Sequence, residues 1–131
     1  MQDRQAVFAR TGGLHAAGLF DNTGNLLRMR EDIGRHNALD KLIGSSIVEQ
    51  GMPLQDHLIF LSGRIGFELV QKAVMAGASV LAAVGAPSSL AVELAKEMNL
   101  TLLGFVRNQQ FNVYTGGQRI SMVSSSKSVH I

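Results

Sequence analysis

The sequence predicts an α/β domain, a three-layer sandwich built on a mostly parallel, mixed sheet. Short apolar runs alternate with stretches of helical period. Two of those runs, 79–84 and 100–106, are apolar almost without a break, as strands are when a sheet is covered on both faces. The 131 residues amount to one domain, long enough to bury a core without metal or disulfide.

The elements follow in order. Thr11-Gly12-Gly13 is a turn signal, and the apolar run Leu14–Phe20 comes next. Asp21-Asn22-Thr23-Gly24-Asn25 then separates it from Leu26–Arg30, which reads as a β-hairpin. Ala38, Leu39, Leu42, Ile43 and Ile47 recur with helical spacing. That helix starts between Gly34 and His36, with Asp32 placed to suit its dipole, and stops at Gly51-Met52-Pro53. Leu58–Leu61 is a strand, and Phe67, Val70 and Val74 mark a helix ending at Gly77. Ser79–Val84 is a buried strand, Ser88–Met98 a helix with Asn99 as C-cap, and Leu100–Val106 another strand. Phe111–Tyr114 is a last edge strand. Residues 1–13 are a polar lead-in, 14–120 the domain, and 121–131 a serine-rich tail expected to be disordered.

Composition excludes several functions. Twelve Lys and Arg against 10 Asp and Glu leave a formal charge of +2, too little for a nucleic-acid-binding surface. Charged residues are 17 % and apolar ones 46 %, the balance of a folded chain. Cysteine is absent, which removes disulfides, thiolate zinc sites, iron–sulfur clusters and a cysteine nucleophile. No apolar stretch reaches membrane length and the first ten residues lack a signal-peptide core. A cytoplasmic protein with no membrane association is expected.

In an open parallel sheet, ligands bind beyond the carboxyl ends of the strands. That rule selects Ser62-Gly63-Arg64, then Gly85 to Ser89, then the turn starting at Arg107. The first two loops run into helix N-termini, whose free N–H groups attract anions. Ser62, Ser88 and Ser89 add hydroxyls, Gly63 and Gly85 permit close approach, and Arg64 and Arg107 carry forked donors suited to phosphate. Taken singly, a serine here is equally well an N-cap and an arginine equally well a solvated one. As a set they favour an anionic ligand such as a nucleotide phosphate.

The segment 31–41, EDIGRHNALDK, gathers carboxylates, Arg, His and Asn around Gly34 at a strand-to-helix junction. Arg35 and His36 fall in the first helical turn, where positive charge opposes the dipole, and a bound anion would offset that cost. His15, in a small apolar run, is more often a core histidine than a ligand. His57 and His130 suggest no role.

Five segments together resemble a known family. TGGLHAAGLF, EDIGRHNALDKLIG, SGRIGFELVQKA, APSSLAVELA and TLLGFVR occur in the order found in the formate dehydrogenase accessory proteins, the FdhD sulfurtransferase family. The resemblance runs from Thr11 to about Arg119. It implies a cytidine deaminase-like fold and a role in carrying sulfur from a cysteine desulfurase to the cofactor of formate dehydrogenase. That cofactor is a molybdenum or tungsten bis-guanine-dinucleotide, for which GDP is an analogue, and the family is typically a homodimer. The residues placed to hold it are His15, Arg35, His36, Ser62, Gly63, Arg64, Ser88, Ser89 and Arg107.

This chain departs from the family in lacking its N-terminal portion and its Cys-x-x-Cys loop, so it resembles the C-terminal domain alone. Without a thiol it is expected to be inactive in sulfur transfer by itself. A zinc deaminase needs His-x-Glu and Pro-Cys-x-x-Cys at two helix starts. The corresponding starts here read His36-Asn37-Ala38 and Ser62-Gly63-Arg64, so neither zinc nor any other metal is expected. Two other readings stand beside cofactor binding. One is a metal-free hydrolase or deaminase using His15 or His36 as base. The other is a protein-docking module without a small-molecule ligand.

Overall fold

The computed structural model describes residues 14–50, 54, 56–107, 110–117 and 129–130. The chain forms strands β1 (His15–Phe20) and β2 (Leu26–Asp32), helix α1 (Arg35–Gln50), strand β3 (Leu58–Leu61) and helix α2 (Phe67–Ala76). Strand β4 (Val80–Ala83), helix α3 (Ser89–Glu97), and strands β5 (Thr101–Arg107), β6 (Gln110–Thr115) and β7 (Val129–His130) complete it. The predicted order of elements is found. The lead-in 1–13 lies outside the described residues.

The seven strands form one sheet in the order β2-β1-β3-β4-β5-β6-β7. Its centre, β3-β4-β5, is parallel, and β1 and β6 flank that centre antiparallel. The sheet is therefore mixed, with its parallel pairs where the β–α–β crossovers are. Of the tail 121–131, Val129 and His130 pair in parallel with Phe111 and Asn112, and the rest lies outside the described residues.

The hairpin forms because its loop satisfies itself. Asp21 Oδ1 accepts from the Thr23 hydroxyl at 2.7 Å and from the Thr23 and Asn25 amides at 2.9 Å. These bonds, the Thr23 hydroxyl first, hold the Asp21 carboxyl down at about 2. Gly24, at φ 94°, supplies the left-handed residue the turn needs. Strand β2 runs two residues past its expected end, because Glu31 and Asp32 pair with Ala16 and His15.

Alternation along each strand divides the core in two. Ala17, Leu19, Ile59, Leu61, Leu81, Ala83 and Leu102 face one side, where Ala38, Leu39 and Leu42 of α1, Leu69, Val70 and Ala73 of α2, and Ala91 and Ala95 of α3 cover them. Ala16, Phe20, Leu58, Phe60, Val80, Ala82 and Leu103 form a second buried cluster on the other face, with Phe20 and Phe60 edge to face at 6.4 Å. Both faces of β3 and β4 are thus apolar, which explains the unbroken runs LIFL and VLAA. The described helices all join the first cluster. The second helical layer of a three-layer sandwich is not found among the described residues.

Two local expectations change. Ile47, counted in the apolar stripe of α1, is 44 % exposed, and Ser46 takes the buried position instead. Ser46 is tolerated there because its hydroxyl donates to Leu42 O at 2.7 Å. Met98, not Asn99, is the cap residue of α3, and Asn99 follows it in the left-handed region at φ 58°. Helix α2 ends as expected at Gly77, φ 85°, whose N–H reaches Ala73 O and Val74 O.

Gly44 lies in the interior of α1 on its exposed side, and a Cβ there would meet nothing within 4 Å. Gly44→Ala is expected to stabilise the fold by about 0.5–1 kcal/mol, because alanine loses less backbone entropy in a helix. Denaturant unfolding checks this, as a higher midpoint at unchanged slope.

Candidate anion-binding site

The parallel pairing of β3, β4 and β5 sends their carboxyl ends to one edge. Strand β1 runs the other way and β2 returns beside it, so His15 and Asp32, paired with each other, reach the same edge. Four of the predicted groups therefore converge there. They are His15, the turn leading into Arg35 and His36, the loop 62–64, and the loop 84–88 before α3.

The turn between β2 and α1 is organised by Asp32. Its Oδ1 accepts from Gly34 N at 3.1 Å, and its Oδ2 pairs with Lys41 Nζ at 2.7 Å. The Lys41 ammonium, followed by the Gly34 amide, lowers the Asp32 carboxyl to about 2. Lys41 also donates to Glu31 O at 3.2 Å, tying the first turns of α1 to the end of β2. Arg35 and His36 then open the helix, whose first turn contains no acidic residue.

His36 Nε2 stands 3.9 Å from Glu68 Oε1, so the N-termini of α1 and α2 are neighbours. A Cβ on Gly63 would lie 3.1 Å from His15 Nδ1 and 4.0 Å from Arg35 Cδ. His15, Gly63 and Arg35 thus share one spot. Arg35 Nε is buried and lacks a hydrogen-bond partner, an orphan donor beside the loop expected to meet an anion.

The serines are mostly occupied with the backbone. Ser62 Oγ accepts from Ala16 N at 2.9 Å, and Ser62 N donates to Ala16 O at 3.0 Å, prolonging the β1–β3 pairing. Ser88 is the N-cap of α3, accepting from Ala91 N at 3.1 Å. Ser89 is the first residue of α3 and is exposed, as is Arg64. The backbone of Arg107 closes β5 against Gln110, and its side chain lies outside the described residues.

Three features of this edge escaped the sequence reading. Glu68 opposes His36, which depends on how α1 and α2 pack. Phe105 has φ 54° and is 44 % exposed, in a β-bulge where Gly104 to Arg107 opposes only Asn112 to Gln110. The Tyr114 ring reaches across to Gly104. No signal in a single sequence marks a bulge of this kind. A groove of about 430 Å³ beside Lys96, Asn99 and Gly116 lies at the opposite edge, and none of the predicted residues lines it. No group of three or more metal-ligating side chains occurs among the described residues, nor does any helix there suit a membrane span.

A family model described as FdhD/NarQ matches residues 1–121. The chain belongs to the FdhD/NarQ family. It is 58 % identical over 121 residues to a sulfur carrier protein FdhD from Nocardia farcinica, covering 92 % of this chain and 43 % of that one. A second sulfur carrier protein FdhD, from Streptomyces coelicolor, is 58 % identical over 90 % of this chain and 42 % of its own length. A crystallised chain from Desulfotalea psychrophila, assigned as a formate dehydrogenase accessory protein, superposes with a TM-score of 0.76 at 34 % identity. That match covers 86 % of this chain and 47 % of the other. The chain thus spans less than half the length of the FdhD relatives it matches, and the α/β fold with a mixed sheet is the fold of that accessory protein.

The depressed Asp32 carboxyl gives a pH prediction. A folded pKa of about 2 against an ordinary 3.8 means that its contribution to stability is present above pH 3.8. That contribution is lost as the pH falls toward 2. Carboxyl-carbon NMR titration is expected to place the midpoint near 2, and Lys41→Met to move it up toward the ordinary range.

Proposed function

We propose that this FdhD/NarQ-family chain holds the guanine-nucleotide end of a molybdenum or tungsten bis-guanine-dinucleotide cofactor at the carboxyl edge of its sheet. The observation that carries this reading is the convergence of His15, Gly63 and Arg35, with the buried Arg35 Nε left without a partner. An anion accepting from that Nε would satisfy a buried donor at the edge and offset the positive charge in the first turn of α1. Arg64, exposed on the adjacent loop, offers a second guanidinium, and the N-termini of α1 and α2 supply backbone N–H groups. Arg107 would act from the end of β5. The orphan donor and the open approach at Gly63 fit a phosphate-bearing ligand. When bound, the cofactor supplies the metal centre that receives sulfur.

The proposed setting is the cytoplasm, with formate dehydrogenase as the recipient and a cysteine desulfurase as the sulfur source. The relatives' names, sulfur carrier protein and formate dehydrogenase accessory protein, support the sulfur and formate dehydrogenase parts of it. A second observation favours protein docking at the same edge. Ile33, Leu90, Phe105 and Phe67, from the turn before α1, the first turn of α3, the end of β5 and the first turn of α2, are 84, 61, 44 and 37 % exposed. A partner, or a second copy in a homodimer, would cover them.

Calorimetric titration with GDP, against ADP and CDP, tests the reading. Selective GDP binding is expected, and Arg64→Ala is expected to weaken it by about 1.5–3 kcal/mol, the scale of a charge-assisted hydrogen bond. Absence of any nucleotide binding by the folded chain, together with tight capture of formate dehydrogenase, would replace cofactor binding by docking.

A further inference from the structure

Two loops at the carboxyl edge and the strand β5 beside them each contain a glycine whose Cβ would crowd a neighbouring segment. On Gly63 a Cβ would lie 3.1 Å from the His15 ring. On Gly85 it would lie 2.9 Å from Arg64 Cα and 3.0 Å from Arg64 N. On Gly104 it would lie 2.9 Å from the Tyr114 ring, 3.0 Å from Pro87 Cδ and 3.2 Å from Gly85 O. Among the described residues the glycines with positive φ are Gly24, Gly77 and Gly116, so Gly63, Gly85 and Gly104 are not required for their backbone angles. Gly85 and Gly104 are required for space, and at Gly63 a side chain would push on the His15 ring. Gly24, Gly44 and Gly66, away from these contacts, have nothing within 4 Å.

The contacts form an unbroken series from β1 to β6. Backbone hydrogen bonds follow the same path. Gly85 N donates to Gly63 O, Ile65 N to Ala86 O, Ser88 N to Ile65 O, and Phe105 N to Gly85 O. Ile65 and Pro87 add a parallel bridge between the two helix-leading loops. These bonds join backbone to backbone, so they do not depend on the exposed side chains of Arg64 or Ser89.

We infer that Gly63, Gly85 and Gly104 are positioning residues that join the two loops and β5 into one rigid wall, so that His15 and the backbone of Arg64 are set in place before a ligand arrives. The wall itself rests on the contacts above. Its use for an anion rests on the function proposed here. Loops at a binding edge are usually the low-stability part of a domain and open independently. Here they are expected to open as one.

Native-state hydrogen exchange on the unmodified chain tests the wall without any variant. The amides of Ile65, Gly85, Ser88 and Phe105 are expected to share one opening free energy and one denaturant dependence. Separate openings would overturn the inference. Gly85→Ala is then expected to speed exchange at Phe105 and Ser88 together and to weaken GDP binding at least tenfold. Gly44→Ala, in open space in the interior of α1, is expected to do neither. Weaker GDP binding with unchanged exchange at Phe105 and Ser88 would overturn the positioning role. A chain that binds no GDP yet opens its four amides together would sink the nucleotide reading and leave the wall standing.

Discussion

Everything at the candidate site depends on the parallel pairing of β3, β4 and β5. Parallel neighbours cannot be joined by a tight turn, so the chain returns each time through a helix. Each strand then ends, and each following helix begins, at the same edge. The price in sequence is that β3 and β4 must be apolar on both sides, since they are buried from both faces. The antiparallel hairpin β1–β2 adds its own contribution. Running against β3, it delivers His15 and the Asp32 turn to the edge where the loops emerge.

The electrostatics of that edge run against ordinary helix preferences. The first turn of α1 holds Arg35 and His36 where the helix dipole favours a negative charge. Glu68, across at 3.9 Å, is 73 % exposed and answers His36 only weakly. Asp32 is nearer the dipole, but its oxygens are engaged by Lys41 and Gly34. A fold selected for stability alone would place a carboxylate in that turn. Such local conflict between propensity and position is what a binding edge is expected to show.

The order of elements was legible in the sequence because both of its signals were strong. LIFL and VLAA are too apolar for surface strands, and Leu69, Val70 and Ala73 repeat at helical spacing. The edge at which these loops gather was legible for the same reason, since strand polarity follows from the alternation of strands and helices. Ile47 and Ser46 were misread because periodicity cannot tell a satisfied hydroxyl from a polar face. The contact of His15 with Gly63, the His36–Glu68 approach and the bulge at Phe105 depend on distances between segments far apart in the chain. Local pattern carries no information about them. Ser62 and Ser88 show the reverse case, in which residue types suited to a ligand already serve the backbone.

The family's relatives bear the name sulfur carrier, yet these 131 residues contain no cysteine. A persulfide needs a thiol, and no serine, histidine or methionine in the chain can substitute for one. On the function proposed above, what is asked of these residues is recognition: to hold an anion, orient it and set its distance from a reacting group. Recognition of that kind gains from rigidity, because a pre-set guanidinium loses little freedom when its partner arrives. Close glycine contacts, backbone bridges between loops and a depressed carboxylate beneath the helix start all serve rigidity. None of them serves bond-making. The function proposed above asks this chain for binding, and rigidity is what binding requires.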